Sequence, residues 1–265
     1  MADILVGTSG YSYKDWIGPF YPPGARESDF LPFYAGEFPF VELNFSYYTM
    51  PKADLITRLI DKTPEGFLFA IKAHRSLTHE KTTADLPKNG ILFREGIAPL
   101  VEQHRLAAVL LQFPYSFHYT PDNRTYLDAF LSNMSGLPVA VEFRNAEWVN
   151  ERVREGLTTR RAAFVNVDQP DLPHLIRPGA VVTADPAYLR FHGRNKKNWW
   201  TGDNVSRYDY LYSDDELVSW LDHIRSLAAA SKLLLVTFNN HSRGQAIHNA
   251  RRLRELLQSR GFLAR

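Results

Sequence analysis

The chain has 265 residues, 45% of them hydrophobic, with 31 Lys plus Arg against 29 Asp plus Glu and a net charge of +2. A balance this even does not by itself argue for a nucleic-acid or membrane-surface protein, and the absence of cysteine removes disulfides, thiol nucleophiles and thiolate metal sites. No run approaches the ~18 uninterrupted apolar residues of a membrane-spanning helix, and the chain enters a strand-like stretch at Asp3 without a leader, so a cytoplasmic protein with no membrane partner is expected.

In chain order, a strand at 3–7 leads into a long loop, 8–26, dense in Tyr, Trp, Pro and Gly, and then a helix near 27–36. A strand at 40–44 precedes a helix near 52–62, opened by Pro51, and a strand at 67–72 precedes one near 90–105. Strands at 107–112 and 138–143 alternate with helices near 122–133, opened by Asp122, and near 148–157. The strands at 162–167 and 187–191 are followed by a second long loop, 192–212. A helix near 213–230 begins at Ser213-Asp214-Asp215, and a strand at 233–238 and a helix near 242–259 complete the chain.

Eight strands alternating with helices predict a single domain over 1–265, a TIM-type (β/α)8 barrel of class α/β. A doubly wound sheet is the rival. It would carry a glycine-rich nucleotide turn after the first strand, whereas Gly7-Thr8-Ser9-Gly10-Tyr11 lacks the third glycine and runs into aromatics. No repeat, low-complexity tract or linker divides the chain.

The strand ends carry the chemistry. Polar residues recur there at every second position: Glu42 and Asn44, Lys72 and His74, Glu142 and Arg144, Asn166 and Asp168, and Arg190, His192 and Arg194. Side chains alternate across a strand, so each set points to one face. Gln112 ends the fourth strand, and the eighth runs into Asn239, Asn240 and His241. Polar groups at such depth need one another or a ligand.

Several readings fit this set. Lys72, Arg144, Arg190 and Arg194 outnumber Glu42, Glu142 and Asp168, which suggests an anionic or phosphorylated ligand, since arginine presents a planar fork of donors. The same carboxylates with Lys72 or His192 can do acid–base work, with Glu142 and Glu42 as the base and its orienting partner. A self-satisfied ionic network is the bland alternative. No cofactor is expected and no metal ligand is assigned. The alternative is a metal held by Glu42, Glu142, Asp168, His192 and His241, although no two of these show a close ligand spacing such as His-x-x-x-His.

Tyr11, Tyr13, Trp16, Phe20 and Tyr21 in the first loop, and Trp199, Trp200, Tyr208, Tyr210 and Tyr212 in the second, pin down long loops or form a stacking surface. In the second loop Arg194, Lys196, Lys197 and Arg207 stand among them, as a nucleic-acid ligand would require. Two weaker patterns are a phosphate site at Ser242-Arg243-Gly244-Gln245 before the last helix and a hydrolytic triad on Ser9, the latter without a nucleophile elbow.

Motifs in the same order resemble those of the bacterial and archaeal family known as domain of unknown function 72, the YecE-like proteins. They are Val6-Gly-Thr-Ser-Gly-Tyr-Ser-Tyr, Val41-Glu-Leu-Asn-Phe-Ser-Tyr-Tyr, Phe69-Ala-Ile-Lys-Ala, Leu111-Gln-Phe-Pro, Val141-Glu-Phe-Arg-Asn, Arg190-Phe-His-Gly-Arg and Phe238-Asn-Asn-His. The resemblance implies a TIM-type barrel and no established activity. The functional expectation is an enzyme binding a phosphate-bearing substrate (nucleotide, nucleic acid or sugar phosphate) at the barrel mouth, with hydrolytic or acid–base chemistry. Lys72, Glu42, Glu142 and His192 would be catalytic. Arg144, Arg190, Arg194, Gln112, Asn44, Asn166, Asp168, Asn239, Asn240, His241, Tyr11 and Trp199 would bind. The alternatives are a non-catalytic binding protein for single-stranded nucleic acid or a phosphorylated metabolite, and a metal-dependent isomerase or lyase.

Overall fold

The computed structural model describes residues 2–265. The eight strands form where the apolar runs place them: β1 Asp3–Thr8, β2 Phe40–Leu43, β3 Leu68–Lys72, β4 Leu106–Gln112, β5 Val139–Glu142, β6 Ala162–Asp168, β7 Ala187–Phe191 and β8 Leu233–Phe238. All pair in parallel in the order β1-β8-β7-β6-β5-β4-β3-β2. The last seam, between β1 and β2, is held at the mouth by a bridge from Ser9 to Glu42 and a bond from the Gly10 N–H to the Glu42 carbonyl at 2.8 Å. The sheet is therefore a nearly closed (β/α)8 barrel in a single domain.

The helices are α1 Glu27–Ala35, α2 Phe45–Tyr48, α3 Ala53–Ile60, α4 Arg75–Thr78, α5 Leu86–Glu102, α6 Pro121–Asn133, α7 Glu151–Thr159, α8 Asp214–Val218, α9 Leu221–Ala229 and α10 Gln245–Ser259. Two differences from the sequence expectation have physical causes. The helix expected over 213–230 is two, interrupted at Ser219–Trp220, where Trp220 turns inward and is buried. The short helices α2 and α4, each a single turn directly after a strand, are too brief to show a 3.6-residue period. Between β6 and β7, where the sequence reading also placed no helix, there is none: 169–186 carries Pro170, Pro173, Pro178 and Pro186, and proline removes the donor a helix interior needs. Side chains hold that stretch instead. Asn166 Oδ1 accepts from the Val181 N–H at 2.8 Å and Gln169 Nε2 donates to the Ile176 carbonyl at 2.9 Å.

Register decides which face each polar residue takes, since partners in a parallel ladder share a face. On β5, Phe143 stacks on Trp148 outside the barrel with centroids 4.4 Å apart, so Glu142 and Arg144 turn inward. On β7, Phe191 packs outward on Trp220 and Phe238, so Arg190 and His192 turn inward. β6 breaks the pattern. Its Asp168 is level with Phe191 and its Val167 with Arg190, so Asn166 and Asp168 face the helix layer and Val165 and Val167 face the barrel. The expectation that all these polar ends converge on one place is corrected at β6.

Candidate active site

The inward polar layer is built around Arg190, which is fully buried near the end of β7. Its Nε and Nη2 donate to Glu42 Oε2 at 2.8 Å and Oε1 at 2.6 Å, and its Nη1 donates to Glu142 Oε2. Tyr188, two residues earlier on the same face, donates to Glu42 Oε2 at 2.7 Å. Ser9 donates to Glu42 Oε1 and accepts from Asn44 Nδ2 at 2.7 Å. Among the described residues no histidine partners Ser9, so the triad drawn from it does not assemble.

Burial disfavours the charged forms of Glu42 and Glu142, but Arg190 outweighs it at both, with Arg144 adding at Glu142. Glu42 is held below the usual carboxylate range and Glu142 well below it. Burial likewise opposes the charge on Arg190, and the two glutamates more than restore it. Arg144 Nε lies 2.8 Å and His192 Nε2 3.2 Å from Glu142 Oε1, yet neither is aligned well enough to hydrogen-bond it. Asn239 Nδ2 meets His192 Nδ1 at 3.1 Å. With the amide donating, the imidazole proton sits on Nε2, toward Glu142. Burial, with Arg144, pushes the His192 pKa down to about 3, so the ring is neutral.

Above this layer opens a cavity of about 730 Å³. Lys72, Gln112, Arg144, Arg190, Asn44, Asn239, His241 and Trp199 of the expected set line it. Glu42, Glu142 and His192 do not, being fully buried beneath it. Arg194, Asn166, Asp168, Asn240 and Tyr11 lie elsewhere. Asp168 accepts from Arg194, from Tyr212 at 2.6 Å and from Trp220 at 2.6 Å, outside the barrel. Asn240 bonds the Tyr210 carbonyl and Asn249 on α10, and the Tyr11 ring packs toward Tyr34 while its carbonyl accepts from Tyr21. The turn before the last helix is also committed: the Arg243 N–H donates to Asp15 at 2.7 Å, where a phosphate was expected.

Sequence reasoning missed several lining residues. Tyr47 and Tyr48 come from α2, and Arg75 and His79 from α4 and its end. Arg207, noticed only among the loop aromatics, also faces the cavity. The five lining cations are Lys72, Arg75, Arg144, Arg190 and Arg207, and no Asp or Glu appears among the described lining residues. Arg190 and Arg144 pair with the glutamates below and Arg75 with Glu80. Among the described residues Arg207 and Lys72 have no carboxylate partner, and Arg207 Nε is buried with no hydrogen bond. Lys72 Nζ donates to Gln112 Oε1 at 2.7 Å and sits 4.4 Å from the centre of the Tyr47 ring. Burial, with Arg190 nearby, lowers its pKa to about 7. His79 is lowered to about 4 by burial and by Lys72 and Arg144.

The metal alternative finds no support in the grouping of side chains: among the described residues no three His, Asp or Glu are placed to hold an ion together. No helix of the described residues is long and apolar enough to cross a membrane.

Fold and mouth together define a (β/α)8-barrel protein with a polar site at the C-terminal ends of its strands. The chain belongs to the family described as Protein of unknown function DUF72, which matches residues 5–264. It is 31% identical over 269 residues to the UPF0759 protein YunF of Bacillus subtilis (strain 168), covering 96% of this chain and 94% of that one. Among solved structures, a DUF72 protein of Thermotoga maritima matches with TM-score 0.88 and 38% identity, over 96% of this chain and 99% of that one. A DUF72 protein of Enterococcus faecalis matches with TM-score 0.85 and 27% identity, over 96% and 95%. The UV damage endonuclease SacUVDE is a distant structural neighbour, with TM-score 0.53 and 8% identity over 98% of this chain and 99% of that one, a likeness of fold alone.

Proposed function

We propose that this protein is an enzyme whose barrel mouth takes a phosphate-bearing small molecule and acts on it by acid–base or hydrolytic chemistry. The observation that carries the reading is the cavity lining: five cations, no carboxylate, and two of the cations unpaired. A guanidinium with an unfilled buried donor is what a phosphate oxygen satisfies, and the attraction strengthens where water is partly excluded.

The geometry redistributes the roles expected from the sequence. Glu42 and Glu142 have no surface in the cavity, so they act on Arg190 and Arg144, fixing both guanidinium groups beneath the ligand. His192 Nε2 stands 3.2 Å from Glu142 Oε1, also out of reach of the cavity. Acid–base work then falls to Lys72, the titratable group that lines the cavity with a pKa near 7, where proton transfer is efficient at neutral pH. His79, a neutral imidazole on the lining, is the second proton carrier.

A second reading, binding of a single nucleic-acid strand without catalysis, is favoured by Trp200 and Tyr48, which line the cavity while 51% and 59% exposed. Sequence-tolerant strand binding uses such rings as stacking platforms beside cations.

The test is a thermal-shift titration with inorganic phosphate, a sugar phosphate, a nucleotide and a short oligonucleotide. A ligand at one hundred times its Kd raises stability by about 2.7 kcal/mol. The expected result is a rise in Tm with a phosphorylated small molecule that Arg207→Ala removes, the ligand-free variant melting with the wild type. No rise with any of them would sink the reading. A rise with the oligonucleotide alone would transfer it to strand binding.

A further inference from the structure

Lys72 is an unusual choice for a residue whose only task is to hold an anion. An ammonium meant to stay charged in a partly enclosed site is normally given a carboxylate. Both glutamates of this mouth are spent on arginines instead, and Lys72 Nζ faces the neutral carbonyl oxygen of Gln112 at 2.7 Å. That amide cannot turn to present another group, because its Nε2 donates to the Phe113 carbonyl at 2.7 Å. Arg190 and Arg144 on the same lining repel a third positive charge, and Glu142 and Glu42 beneath them offset only part of the combined effect of burial and that repulsion. Desolvation together with cationic neighbours is the arrangement that converts a lysine from a point charge into a nucleophile.

We infer that Lys72 forms an imine with the carbonyl carbon of a phosphorylated ketone or aldehyde, whose phosphate is held by Arg207 and the cations around it. This rests on the anion-binding reading of the cavity and adds the reacting group. The nitrogen lone pair attacks the carbonyl carbon, the C=O bond opens, and the nitrogen gives up its protons as the former carbonyl oxygen leaves as water. A C=N bond replaces the C=O bond, and no oxidant or reductant is consumed. His79 is placed to carry the proton between nitrogen and departing oxygen: it lines the cavity, and its ring packs at 4.9 Å on the same Tyr47 ring that Lys72 overlies at 4.4 Å. It is neutral at physiological pH and so free to accept. Taking one proton from solvent, the imine nitrogen becomes an iminium that withdraws electrons from the adjacent carbon, and proton abstraction or carbon–carbon cleavage there is the class of reaction the site then serves.

The experiment incubates the full chain with dihydroxyacetone phosphate or glyceraldehyde phosphate in the presence of sodium borohydride, which reduces an imine irreversibly. Intact mass and peptide mapping follow. Expected is one adduct per chain at Lys72, heavier by the mass of the carbonyl compound less one oxygen. The adduct is suppressed by inorganic phosphate, weaker with phosphate-free dihydroxyacetone, and slower as the pH falls below about 7. Lys72→Arg loses it while keeping the phosphate-induced rise in Tm, and mapping of the wild type decides the question even if that variant folds poorly. Labelling spread over surface lysines with Lys72 unmodified would overturn the inference. If phosphate raises the Tm and no adduct forms, the imine falls and the anion site stands; if neither occurs, both fall. An adduct at Lys72 that phosphate does not suppress upholds the imine and overturns the assignment of the phosphate to Arg207.

Discussion

Two buried ionic clusters sit at the strand ends of this barrel, and they are finished to different degrees. Outside the barrel, Asp168 receives Arg194, Tyr212 and Trp220, so both of its oxygens are filled by aligned donors. Inside, Arg190 joins Glu42 and Glu142, yet Glu142 Oε1, His192 Nε2, Asn44 Oδ1 and Arg207 Nε are left without aligned partners. Buried polar groups are ordinarily satisfied, and the outer cluster follows that rule where the inner one does not. The outer cluster clamps the loop after β7 to α8 and α9. The inner one uses the same chemistry to leave cations facing a cavity.

The sharpest way to break the comparison is to remove the centre of each cluster. Arg190→Met strands two fully buried carboxylates, and losing one partner of a buried pair costs about 3–5 kcal/mol. Acid should relieve part of this loss. In the wild type both glutamates are held below their usual pKa, so the stability they contribute is present above the unfolded value of about 4.3 and fades as pH falls through the folded one. The variant lacks that contribution, so the two proteins should converge in urea denaturation as pH falls below about 4. Asp168→Asn keeps the shape of the outer centre and removes its charge, and Arg194, with 28% of its side chain exposed, can turn to water. A loss of about 2 kcal/mol is expected, the value of charge-assisted hydrogen bonds. If Asp168→Asn proved the costlier of the two, the inner cluster would not be the strained one.

What the sequence could and could not reveal follows from the same contrast. Dense runs of Val, Ile, Leu and Phe marked all eight strands, because a parallel strand is covered on both faces. Alternation then paired Glu142 with Arg144 and Arg190 with His192 correctly, each having an aromatic neighbour that packs outward. Alternation says which residues share a face but not which face it is. At β6 that depends on register against β7, and level pairing of Asp168 with Phe191 sends Asn166 and Asp168 to the helix layer. Tyr47, Tyr48, Arg75 and His79 escaped notice for another reason: their single-turn helices have no period to read. The signal that could have found them is position, since each follows a strand closely enough to reach the mouth. No helix was expected in 169–186 either, and its four prolines explain why none forms.

A smaller effect separates Lys72 from the arginines around it. An unfolded lysine keeps its proton to about pH 10.4, whereas in the folded protein burial and Arg190 lower that value to about 7. Between those limits the unfolded chain binds more protons, so stability should rise with pH across the window. Urea denaturation of wild type and Lys72→Met at pH 7, 8.5 and 10 measures it, with the wild type gaining on the variant at each step. A constant difference would mean that Lys72 stays charged in the fold, which would leave the cavity without a free amine at neutral pH.

The smallest effect on the fold, and the most selective for the ligand, is expected at the rim. Trp200 is 51% exposed and meets Tyr115 edge-on at 4.9 Å, while its neighbour Trp199 is buried beneath Arg144. Trp200→Ala removes little packing, so stability should change by less than about 0.5 kcal/mol. A ligand that ends at the phosphate should bind the variant unchanged. One carrying a base should lose about 1–3 kcal/mol, the usual value of stacking a base on an aromatic ring. Titrating inorganic phosphate and a nucleotide in parallel therefore reads how far the ligand extends: unchanged affinity for each in wild type and Trp200→Ala confines it to the cavity floor with Lys72, and selective loss of the nucleotide carries it out across the rim.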